Sequence, residues 1–88
     1  MILGPVQIVV YQKPGCSLCD EALDLLDEAR ERYRFSVVTQ NIRADAVLFE
    51  KYRFHVPVVV MDGIERLRSR FDRQELEAAL LASGCPRE

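Results

Sequence analysis

The sequence has no strong excess of charge of either sign. Twelve Lys and Arg stand against fourteen Asp and Glu, a formal net charge of -2. Nucleic-acid binders usually carry a basic excess or stripe, so no nucleic-acid partner is expected. Long hydrophobic runs are also missing. The longest apolar stretches, Met1–Val6 and Val56–Met61, fall far short of the ~18–20 residues that a membrane helix needs. No basic residues precede the first apolar stretch and no small-residue cleavage pattern follows it, so a signal peptide is not expected. Repeats, low-complexity tracts and linker-like segments are absent. Cysteine is scarce, with three residues at 16, 19 and 85, too few for a secreted scaffold stapled by disulfides. These absences predict a monomeric cytoplasmic protein with no membrane partner.

What remains describes a globular domain. Hydrophobic residues make up 49% of the 88 positions and charged residues 30%, which suits one domain spanning 1–88. Val6–Tyr11 is a β-branched and aromatic run that reads as a buried strand. Pro14-Gly15 turns the chain into a helix over 17–33, with Leu18, Ala22, Leu25, Leu26 and Ala29 on its core face. Arg30, Arg32 and Arg34 crowd the end of that helix, where its dipole favours cations. Phe35–Gln40 alternates as a strand does, and 44–52 is a short helix with Val47, Leu48 and Tyr52 inward. Val56–Met61 is a second buried strand. Asp62-Gly63 is a two-residue hairpin signal that reverses it into Ile64–Ser69, a strand whose charges suit an exposed edge. Asp72 and Glu75 form a capping-box pattern ahead of a last helix, which Gly84 and Pro86 stop. The order β-α-β-α-β-β-α predicts an α/β sandwich: a mixed four-stranded sheet, helices on both faces, and parallel strands wherever a helix joins them.

Chemistry concentrates at Cys16 and Cys19, where the first strand hands over to a helix. With Cys16 at the N-cap, the two Cα atoms lie ~5–5.5 Å apart, within disulfide range. The unpaired N–H groups of the first turn and the helix dipole favour a thiolate at Cys16, the nucleophile of disulfide exchange. Cys19, a turn further in, is placed to resolve a mixed disulfide. Lys13 adds positive charge nearby. A bare Cys-x-x-Cys is also half of a zinc site, which His55 and Cys85 would complete if the tail folded back. Cys85 otherwise reads as a solvent-exposed spectator beyond the helix stop. Pro57 removes a ladder donor from a central strand. A trans Pro opening the strand fits it, and so does a cis Val56–Pro57 bond that turns the Val56 backbone outward to a bound peptide.

Three segments together are specific. Tyr11-Gln12-Lys13-Pro14-Gly15-Cys16-Ser17-Leu18-Cys19, His55-Val56-Pro57 and Phe71-Asp72 resemble, in order and spacing, the active-site segments of the glutaredoxin family, and most closely its short bacterial members. The resemblance implies a thioredoxin-like fold, a cis Pro57, Cys16 as nucleophile and Cys19 as resolving thiol. It implies substrate-binding roles for Lys13, the Val56 backbone, Pro57 and Asp72, and no bound cofactor or metal. The implied activity is reduction of protein disulfides or glutathione mixed disulfides. Ser17-Leu18 replaces the family's common Pro-Tyr, His55 replaces its Thr, and Ser69-Arg70 replaces its paired glycines, so glutathione and a thioredoxin-type reductant both stand as electron donors. The alternative is a non-catalytic module of the same fold that binds zinc or a protein partner through the same face.

Overall fold

The computed structural model describes residues 5–88; the first four residues of the Met1–Val6 stretch lie outside them. The chain runs β1 (Val6–Gln12), α1 (Ser17–Ala29), β2 (Phe35–Asn41), a 3₁₀ turn at Ile42–Ala44, α2 (Ala46–Tyr52), β3 (Val58–Met61), β4 (Ile64–Arg68) and α3 (Arg73–Ala82). The strands form one mixed sheet in the order β2-β1-β3-β4. β1 lies parallel to β2, while the β1–β3 and β3–β4 pairs are antiparallel.

Strand alternation divides the interior into two cores. Val6, Ile8 and Val10 of β1, with Val59 and Met61 of β3, face α1 and α3 and pack on Ala22, Leu26, Ala29, Leu76 and Leu80. The opposite parity sends Tyr11, Val58 and Val60 to the other face, against Ile42, Leu48, Phe49 and Tyr52. Helices therefore cover both faces of the sheet. The hairpin forms as its sequence dictates, with Asp62 and Gly63 both at positive φ, 49° and 84°. The Asp62 carboxylate also accepts the Gln7 N–H at 2.9 Å, which ties the turn to the central strand. Asp72 and Glu75 form the expected capping box.

Several expectations require correction. A helix joins β2 to β3, yet β3 runs antiparallel to β1 and so opposite to β2. The parallel rule presumes a helix that travels back along the strands. A seven-residue strand is ~23 Å long, and the seven residues of α2 reach only ~10 Å. That length matches two inter-strand spacings, so α2 carries the chain over β1 to β3 at one end of the sheet. Helix α1 stops at Ala29, four residues early, because Tyr33 turns into the core. Arg32 then pairs with Glu28 and Glu77 rather than with the helix end. Val47 points to solvent at 75% exposure, and Phe49 takes the inward place. Pro57 precedes β3, and β4 ends at Arg68 because Ser69 adopts φ 60°.

Cys85 is the largest departure. It is buried, not exposed. Gly84 reverses the chain at φ 73°, as a helix stop of this kind does, and the tail then folds antiparallel onto the start of β2. Arg34 N–H donates to the Pro86 carbonyl at 2.8 Å, Glu88 N–H to Arg32 at 3.0 Å, and the Cys85 thiol to the Arg34 carbonyl at 3.2 Å.

Candidate functional site

The turn after β1 delivers Cys16 to the mouth of α1. Gly15 makes that turn at φ 74°, a conformation that costs a residue with Cβ about 1–2 kcal/mol. Cys16 is the N-cap with extended backbone, and its Sγ accepts the Cys19 N–H at 3.2 Å. The sulfur thus occupies the place of a capping oxygen and answers one of the orphan donors of the first turn. The aligned peptide dipoles of α1 present their positive end to the same sulfur.

The two thiols differ sharply. Cys16 is half-buried and borders an open groove, whereas Cys19 is 1% exposed in the core beneath α2. Burial pushes the Cys19 thiol up to about 11 from an ordinary 9.0. Its contact with the Cys16 side chain and the charges of Cys16 and Asp20 act in the same direction, while a backbone hydrogen bond at Lys13 opposes them. At neutral pH Cys19 therefore holds its proton.

Lys13, Gly15, Cys16, Ser17, Leu18, Arg53, Phe54 and Val56 line the groove, whose volume is about 420 Å³. Lys13 and Val56 of the sequence-derived set thus lie beside Cys16. The Lys13 ammonium spans the groove and donates to the Arg53 carbonyl at 3.4 Å. The Val56–Pro57 bond is cis. Among the described residues neither the N–H nor the carbonyl of Val56 has a backbone partner. Beneath the groove, Tyr11 stacks on Tyr52 with ring centroids 5.2 Å apart.

Asp72 stands apart from this lining. Its Oδ1 accepts the Glu75 N–H at 2.8 Å, and Glu75 Oε1 accepts the Asp72 N–H at 3.2 Å, so the carboxylate is engaged in starting α3. The Cys₃His arrangement is not assembled. Cys85 binds at the start of β2 (Val6↔Phe35), whereas Cys16 follows the other end of β1, so most of a seven-residue strand separates them. Arg53 and Phe54 were missed from the sequence although both line the groove. Their signal was an arginine and an aromatic residue directly ahead of His55-Val56-Pro57.

Comparison with known proteins identifies the family and the fold. Residues 7–81 match the family described as a glutaredoxin-like domain. Protein XcR50 from X. campestris is similar in structure with a TM-score of 0.73 and 36% identity, over 85% of this chain and 96% of that one. Protein Ne2328 from Nitrosomonas europaea is similar with a TM-score of 0.77 and 26% identity, over 89% and 94% of the two chains.

Proposed function

The chain belongs to the glutaredoxin-like domain family and has a thioredoxin-like fold, and from that premise we propose that it is a thiol–disulfide oxidoreductase working through Cys16 and Cys19. The observation that carries the reading is the inequality of two thiols one helical turn apart. Cys16 borders the groove with a hydrogen-bond donor on its sulfur, and Cys19 is buried and protonated.

The chemistry runs in two exchanges. The Cys16 thiolate attacks one sulfur of a substrate disulfide, forming a mixed disulfide and expelling the other substrate sulfur as a thiolate, which takes up a proton. Cys19 then gives up its proton and attacks the Cys16 sulfur, releasing the second substrate thiol. Two electrons pass from the dithiol to the substrate, and a Cys16–Cys19 disulfide remains. Glutathione or a thioredoxin-type reductant would restore the dithiol. Lys13 and the free backbone groups of Val56 hold the substrate segment beside Cys16 in this reading, with Pro57 setting the strand start that presents Val56. Asp72 contributes by fixing the N-terminus of α3, beyond which substrate contact is also proposed from family likeness. Protein disulfides and glutathione mixed disulfides are the proposed substrates.

A reduction assay tests this, with insulin and a glutathione mixed disulfide as substrates and glutathione and thioredoxin reductase compared as electron sources. Cys16→Ser should abolish turnover. Cys19→Ser should accumulate a mixed disulfide on Cys16 visible as an added mass, because attack survives and resolution does not. Equal activity of the two variants would sink the assignment of roles.

A further inference from the structure

Resting on the redox reading above, we propose that the groove beside Cys16 selects an extended polypeptide whose disulfide-bonded cysteine is flanked by an apolar side chain and a carboxylate. Phe54 supplies the first preference. It is 78% exposed, and unlike the exposed Val38, Val47, Ile64 and Leu81 it lines the groove that contains the nucleophile. Single exposed apolar residues are ordinary, but an aromatic ring on the wall of a reactive groove offers a substrate side chain something to cover. The ring is held in place. The Arg53 guanidinium lies 4.5 Å from its centroid and 5.7 Å from that of Phe49, so a cation–π pair fixes the platform before a substrate arrives.

Charge supplies the second preference. Among the described residues Arg53 has one carboxylate partner, Glu50 at 3.7 Å, which is itself largely exposed. Lys13 makes no ion pair among the described residues and meets the Arg53 carbonyl. The charged residues lining the groove are thus the cations Lys13 and Arg53, in a chain whose formal net charge is -2, with Glu50 outside the lining. That local inversion favours an acidic segment and disfavours a basic one. The free N–H and carbonyl of Val56 offer strand-like pairing to the backbone amide groups beside a substrate cysteine, which suits an extended peptide segment. At about 420 Å³ the groove also has room for side chains on either side of a disulfide.

The test uses the reduced full chain and four symmetric peptide disulfides in single turnover, with the second-order rate read from released peptide thiol. The cysteine is flanked by Leu and Asp, Ser and Asp, Leu and Lys, or Ser and Lys. Each favoured flank should speed reduction about fivefold, a step comparable to part of a buried Leu side chain or one charge pair near a surface. Phe54→Ser should erase the Leu-over-Ser difference while the Asp-over-Lys difference persists. Lys13→Gln with Arg53→Gln should do the reverse, and added salt should shrink the charge preference in the wild type. Equal rates for all four peptides with the wild-type protein would overturn the proposal while leaving the redox reading intact. Failure to reduce any of them would overturn both.

Discussion

Titrating Cys19 should cost the folded protein stability in alkali, and the size of the loss follows from its burial. In the unfolded chain this thiol ionises near its ordinary 9.0, and in the folded chain it does so near about 11. Below pH 9 both states hold the proton and the thiol does not weigh on the equilibrium. Between pH 9 and 11 the unfolded chain releases a proton that the folded chain keeps, so stability falls as pH rises. With 1.36 kcal/mol per pH unit of difference, the loss is about 1.4 kcal/mol at pH 10 and about 2 kcal/mol at pH 11. Against a total of about 5–15 kcal/mol for a domain, that is measurable. Urea denaturation of the reduced protein should be followed at several pH values from 7.5 to 10.5, in parallel with Cys19→Ser. Serine does not titrate there, so the difference between the two curves isolates Cys19 from other alkaline groups. Cys85, which burial also pushes up, adds a loss of the same sign to both proteins. The difference should open above pH 9. If the curves stay parallel throughout, Cys19 is not held protonated by the fold, and the inequality of the two thiols loses its physical basis.

Other residues give sharper local tests. Asp72→Ala removes the side-chain half of the α3 capping box while leaving the backbone N–H of residue 72 to Glu75, and should cost about 1 kcal/mol, a fall of roughly 4–8 °C in the thermal midpoint; an unchanged midpoint would mean that the cap is not needed. At neutral pH a thiol alkylating agent should label Cys16 in the native reduced protein and spare Cys85, which should react only after denaturation; rapid native labelling of Cys85 by mass spectrometry would contradict its burial. Glu77 sits between Arg32 at 3.0 Å and Arg73 at 3.6 Å. Glu77→Gln should therefore cost about 0.5–1 kcal/mol in urea denaturation, and high salt should reduce the difference because these groups are partly exposed. A cost that is independent of salt would point to packing instead.

The features legible in the sequence were those in which neighbouring residues settle the local geometry. Cys16 caps α1 because it ends a Pro-Gly turn and opens an apolar helical stripe. Asp62-Gly63 reverses the chain because both residues tolerate positive φ, and Asp72 starts α3 through Glu75, three positions away. What stayed hidden depends on where distant segments meet. The direction of β3 is set by the length of α2 relative to the width of two strands, a comparison that no periodicity encodes. The burial of Cys85 depends on carbonyls at Arg32 and Arg34, more than fifty residues earlier, accepting the tail. Val47 and Phe49 are both apolar, and only the sheet's position decides which one faces inward. Arg53 and Phe54 read as ordinary loop residues until the fold sets them across from Lys13.

Segment 85–88, which closes over the start of β2, bears on the order in which the domain can be completed. Synthesis proceeds from the N-terminus, and β1, α1 and β2 emerge long before residues 85–88. During that interval the Arg34 amide has only water for a partner and its carbonyl only the Val6 N–H, at 3.4 Å, and the end of the main core beside Val6 and Tyr33 lies open. Once Gly84 turns and Cys85 drops into place, the Arg34 N–H gains Pro86 and its carbonyl gains the Cys85 thiol. Residues 85–88 are thus a late latch on a segment made about fifty residues earlier. A nascent chain held with residues 85–88 inside the ribosome would carry Cys16 and Cys19 already outside while this seam remained unfastened.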